Sequence, residues 1–162
     1  MKRKVLLSII LIIGIGFSFQ VFAAPKLSLR VTGKWTLKID DTKLTGLAGS
    51  DFPGFFESAL AQVDVDVTKT QGDASAWTMY VSKADSNWDT DVLVYIKRTA
   101  DGSGAGSIAG GTSYQLLTNS DVVFFTGTGD RTGIKIQFRL DFLVEDINVD
   151  DYVTGINYTV IE

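Results

Sequence analysis

The 162-residue chain has no cysteine and no histidine, and only two prolines. Without cysteine there is no disulfide, no thiolate nucleophile and no lipid-anchored N-terminal cysteine. Without histidine, the Ser-His-Asp and Cys-His arrangements of hydrolases are excluded. Zinc loses its usual ligands at the same time. No motif marks a Ser-Lys pair. A glycosidase needs two carboxylates set across a cleft, and the acids here fall mostly in turns and on strand faces. These gaps argue against an enzyme. Sustained helical periodicity is also missing, and the chain has a single long hydrophobic run.

That run opens the chain. Lys2, Arg3 and Lys4 form a positive start, and the stretch from Val5 to Ile15 is apolar. Val21-Phe22-Ala23 fits the small-residue cleavage rule. We read residues 1–23 as a signal peptide and 24–162 as one domain. The alternative is an uncleaved anchor, since roughly 20 apolar residues span a bilayer. The leader takes three basic residues with it, leaving twelve against nineteen acidic, a net charge of −7. An acidic surface repels phosphate backbones, so nucleic acid is a poor partner. The expected address is secreted or cell-surface, or the periplasm of a two-membrane cell. Once the leader is cut, no membrane partner is expected.

The rest of the chain alternates with a period of two, the signature of strands. Leu27, Leu29, Val31, Trp35, Leu37 and Ile39 alternate with polar residues, and Gly33 marks a break. The outward set of this stretch carries Lys, Arg and Thr, which suits a protected edge. Further strands are expected at 63–68, 77–82, 92–97, 114–117 and 122–126. The longest alternations are Ile134 to Val144 and Tyr152 to Val160, which we read as the central strands. Between those two lies an acidic connection, 145–151. Phe55 to Gln62 is expected to make a helical turn or two over one end of the core, and Ala84 to Asp91 a loop. The glycine-rich stretch 100–112 is expected to be a flexible hairpin loop; its loose GxGxxA spacing has no helix to receive a pyrophosphate. Turn signals every 8–12 residues define an all-β protein, a single Ig-like or Greek-key β-sandwich of about 7–9 strands.

Two loops carry ligand-type chemistry. Asp85, Asn87, Asp89 and Asp91 place oxygen atoms at alternate positions, which resembles the opening of a calcium loop. Thr90 and Ile96 stand where an EF-hand needs Gly and Glu, so any calcium site here is a looser one, and a solvated acidic turn is the plain alternative. Asp146, Asn148, Asp150 and Asp151 form a second such cluster. Calcium is the one cofactor these side chains suggest. Trp35 and Trp77 run in phase with apolar neighbours and read as core. Trp88 lies among acids in a polar loop. There it either stacks on a sugar ring or folds back over the end of the core.

The closing stretch, Val149 to Val160, with Tyr152, Ile156, Tyr158 and Thr159-Val160, resembles the last strands of bacterial Ig-like surface-fibre subunits, spore-coat-U-like and chaperone–usher pilins among them. The acidic turn before Tyr152 is similar to a tyrosine corner. The resemblance is confined to this C-terminal stretch, and the chain departs from the spore-coat-U pattern in having no cysteine. It implies assembly by strand donation, in which an N-terminal segment completes the sheet of the next subunit. Leu27, Leu29 and Val31 are the residues positioned to donate. The alternative is that they pair within their own domain.

Two functions follow as expectations. One is a non-enzymatic structural or adhesive surface protein, a fibre or pilus-like subunit whose partners are itself or other surface proteins. The other is a small carbohydrate-binding module, calcium-dependent or not, built around Trp88.

Overall fold

The computed structural model describes residues 7–12, 27–39, 43, 53–69, 73–143 and 150–162. The expected cleavage point after Ala23, residues 70–72, and Asp146 and Asn148 lie outside them. Twelve strands are present among the described residues: β1 (Leu7–Ile12), β2 (Leu27–Gly33), β3 (Thr36–Ile39), β4 (Phe55–Glu57), β5 (Val63–Lys69), β6 (Ala76–Asn87), β7 (Val92–Ala100), β8 (Ile108–Ala109), β9 (Gln115–Leu116), β10 (Val122–Thr128), β11 (Arg131–Phe142) and β12 (Asp151–Ile161).

They form two sheets. The first runs β3-β1-β12-β6-β10-β8; the second runs β2-β5-β11-β7-β9, with β4 also pairing β11. All pairings are antiparallel except that of β1 with β12. The all-β sandwich expected from the alternation is what forms. β11 and β12, the two longest alternations, lie inside the second and first sheet respectively. Successive strands of four or more residues alternate between the sheets. Eight of the twelve strands, β3, β5, β6, β7, β9, β10, β11 and β12, counted one to eight, read 1-8-3-6 in the first sheet and 2-7-4-5 in the second, with β1 inserted between one and eight. That is the connectivity of a jelly roll, two Greek keys folded together. An immunoglobulin domain instead keeps pairs of consecutive strands side by side in one sheet.

The core follows from the period of two. Val63, Val65 and Val67 on β5, Val92, Val94 and Ile96 on β7, and Ile134, Ile136, Phe138 and Leu140 on β11 all face inward and are buried. Trp77, Met79 and Val81 on β6, with Tyr152 and Ile156 on β12, face them from the first sheet. Trp35 stacks on Phe138 with ring centroids 6.5 Å apart, and Trp77 meets Phe125 edge-on at 6.1 Å. The Trp77 indole N–H donates to the Gly129 carbonyl at 2.8 Å, so the polar handle of this buried ring is satisfied. Both tryptophans are core, as their phase predicted.

Three local expectations are corrected. Phe55 to Glu57 is strand β4 rather than helix, because β11 runs long enough to pair with it: Leu140 lies opposite Phe56. β6 continues through Asn87, so half of the expected loop 84–91 is strand, held by β12 across from it. The glycine-rich stretch packs closely: a Cβ on Gly106 would overlap the Thr128 carbonyl, and β8 pairs β10. Glycine is there for close backbone approach.

Arg98, which is buried, fastens that stretch. Its Nε and Nη2 donate to the Gly110 carbonyl at 2.9 and 2.7 Å, and Nη1 pairs with Asp101. Burial, then the nearby Arg131 charge, pulls its pKa below the usual guanidinium value. Arg98→Met keeps the apolar stem and removes these charge-assisted bonds. The expected cost is about 2 kcal/mol in urea unfolding, with faster amide exchange confined to residues 101–111.

Candidate functional site

The structure does not bring Asp85, Asn87, Asp89 and Asp91 into one coordination shell. Asp85 lies on β6 opposite Thr154, accepts its hydroxyl at 2.8 Å and pairs with Lys83 at 2.7 Å. Asn87 donates to the Asp150 carboxylate and to the Asp151 carbonyl, both at 3.1 Å. That bond, followed by the Asp151 N–H, holds the Asp150 pKa below the usual carboxylate value. Asp89 accepts the Asp91 N–H at 2.9 Å and the Tyr152 hydroxyl at 3.2 Å. Burial, then the Asp89 carboxylate, raises the Tyr152 pKa. The reason is the length of β6: it carries 85 and 87 along the ladder and leaves 89 and 91 in the turn beyond. Among the described residues, no group of three or more acidic side chains is placed to hold a metal ion.

Trp88 takes the second of its two expected roles. Its indole N–H donates to the Val92 carbonyl at 2.7 Å, and its ring meets Tyr152 edge-on at 6.3 Å. The ring packs half-buried against the core, with the Lys83 ammonium 5.8 Å from its centroid. It closes the end of the sandwich where β6 turns into β7, instead of standing out as a sugar platform.

Leu27, Leu29 and Val31 lie half-buried against the core of their own chain. β2 pairs β5 from Leu27 opposite Lys69 to Gly33 opposite Val63 and forms the outer edge of the second sheet. The intramolecular alternative is therefore what the chain adopts. Ser28, Arg30 and Thr32 face solvent, the protected edge expected from the sequence.

What the sequence reading missed lies in the first sheet. β1, from the apolar run near the start of the chain, runs between β3 and β12. Ser8 to Ile12 pair with Asp151 to Gly155, and Leu7 to Ile10 pair with Ile39 to Thr36. In a jelly roll the first and last strands are direct neighbours; here a third strand separates them. The segment read as an address, so its strand pattern carried no weight.

A second missed feature ties the two sheets together at one end. The Lys69 side chain has no exposed surface and pairs with Asp73 at 3.4 Å, with Glu162, and with the hydroxyl of Ser75. Burial alone would lower its pKa, but the Glu162 bond and the charges of Asp73 and Glu162 outweigh it and raise it. The cluster fastens the end of β12 to β5.

Among the described residues, no helix is long and apolar enough to cross a membrane. No known family model matches the chain, and no curated protein matches it by sequence. The site that the fold itself singles out is the β3–β1–β12 strip.

Proposed function

We propose that the chain is an exported, non-enzymatic structural or adhesive protein of the cell surface, whose copies join by exchanging a strand. The observation that carries this reading is the position of β1 between β3 and β12. Removal of residues 1–23 on export takes β1 away and leaves two facing strand edges with no partner. Such a slot is a template for an incoming strand. The donor is β2 of a second copy. It offers alternate apolar residues Leu27, Leu29 and Val31, and in its own chain it is held on one edge only, by β5. In the slot it gains a ladder on each side. Gly33, at φ +130°, forms the link that lets β2 swing away from β3. The missing histidine and cysteine support a role without catalysis.

The cysteine-free chain permits a direct trap. Ser28 points outward from the second sheet and Val153 lies in the first, so cysteines at these two places cannot bond within one molecule. In the chain 24–162 carrying Ser28→Cys and Val153→Cys, strand exchange brings them together between copies. A ladder of disulfide-linked multimers on a non-reducing gel is the expected result. A polymer that yields no ladder would assign the donor strand elsewhere.

A further inference from the structure

The outward face of the second sheet carries a cluster that neither the core nor the strand slot uses. Phe55 and Glu57 on β4, Tyr95 on β7, Tyr114 beside β9, and Gln137 and Arg139 on β11 meet there. The register places Arg139 opposite Glu57 on one side and Tyr95 on the other. The Arg139 guanidinium lies 4.2 Å from the Phe55 ring centroid, 5.7 Å from that of Tyr114 and 6.0 Å from that of Tyr95. Asp141 grips it with two bonds, at 2.5 and 2.8 Å. The Lys97 ammonium sits 4.2 Å from the Tyr114 centroid. Phe55 is 46% exposed although it is a large apolar side chain.

One polar atom here, the Gln137 amide oxygen, is buried and has no hydrogen-bond partner in the protein, while the buried Tyr114 hydroxyl faces the Glu57 carboxylate. Gln137 is 3% exposed, and its amide nitrogen is already committed to the Ser58 carbonyl at 2.9 Å. An orphaned buried acceptor beneath this face calls for an explanation. Burial, then the Glu57 carboxylate, pushes the Tyr114 pKa up, so its hydroxyl stays a donor at any physiological pH.

We infer that this face binds a neutral oligosaccharide. A sugar ring has a C–H face that stacks on an aromatic ring and a rim of hydroxyls that donate and accept. The cluster supplies both, in Phe55 and Tyr95 for stacking and in Glu57 and Arg139 for the rim. Lys97 and Arg139 offset Glu57 and Asp141, so the patch is neutral on an acidic chain. An anionic glycan would meet two carboxylates, and a cation would meet Lys97 and Arg139. The inference does not rest on strand exchange: the slot is in the first sheet and this face is on the second, so either can fail alone.

The test is calorimetric titration of the purified full chain with cello-, xylo-, manno- and N-acetylglucosamine oligomers. At least one series binds with about millimolar affinity or tighter. Phe55→Ala and Tyr95→Ala each weaken that binding roughly tenfold, the upper range for one aromatic contact. Glu57→Ala, at an exposed side chain that leaves packing intact, also weakens it. Trp88→Phe leaves it unchanged. The inference is overturned if no series binds, if binding survives Phe55→Ala, Tyr95→Ala and Glu57→Ala, or if it is lost in Trp88→Phe. A self-association that Phe55→Ala abolishes, with no sugar bound, would overturn it in favour of a protein partner.

Discussion

Phe138→Ala is expected to remove about 3–5 kcal/mol of stability. Phe138 lies on β11, the middle strand of the second sheet, and is fully buried. Its ring stacks on Trp35, which comes from the short segment that joins the sheets. Its backbone N–H donates to the Ser58 hydroxyl at 2.9 Å, and Ser58 N–H returns a bond to its carbonyl at 2.9 Å. Truncation therefore opens a cavity where the backbone is pinned on both sides and cannot collapse into it. A domain of ordinary stability has only about 5–15 kcal/mol in total. The urea midpoint should fall by about a fifth or more with an unchanged slope. A cost near 1 kcal/mol would mean that Trp35 and its neighbours relax into the space.

The second large effect concerns the strip at β1. The chain 24–162 lacks the strand that lies between β3 and β12, and those two edges then have no common partner. Its copies are expected to associate, whereas the full chain fills its own slot. A peptide of residues 7–12, flanked by lysines for solubility, should occupy the slot in place of a neighbour. At a hundredfold excess over its dissociation constant it adds about 2.7 kcal/mol to the folded state. For a domain of this size that raises the melting temperature by roughly 10 °C. The same peptide with its residue order scrambled should do much less, because the register of a strand depends on the order of its residues.

The alternation that made the strands legible also made their faces legible. Ile134, Ile136, Phe138 and Leu140 were read as one buried face, and they are buried. The break at Gly33 was legible for the same reason, since a glycine in mid-alternation marks a bend. Partner choice was not legible. Nothing in the period of two says that β2 pairs β5 while β3, three residues on, enters the opposite sheet. Order within a sheet is set by long-range packing, and here it gives jelly-roll connectivity. Ligand chemistry was legible only as residue type. Asp85 and Asp89 read as free carboxylates, yet the ladder to β12 and the Tyr152 hydroxyl engage them. Trp88 read either as a sugar platform or as a lid on the core, and only the Val92 carbonyl that takes its N–H decides between them. The Phe55–Arg139 face was invisible because its members are dispersed along the chain and meet only through the β4–β11–β7 register.

The central claim is that β1 occupies a slot which a neighbour's strand fills once residues 1–23 are gone. Light scattering on a sizing column, applied to the chain 24–162 with and without the β1 peptide, tests it most directly. The account predicts multimers from 24–162 alone and a monomer when the peptide is present. A single monomeric mass from 24–162 alone, unchanged by the peptide, would contradict it.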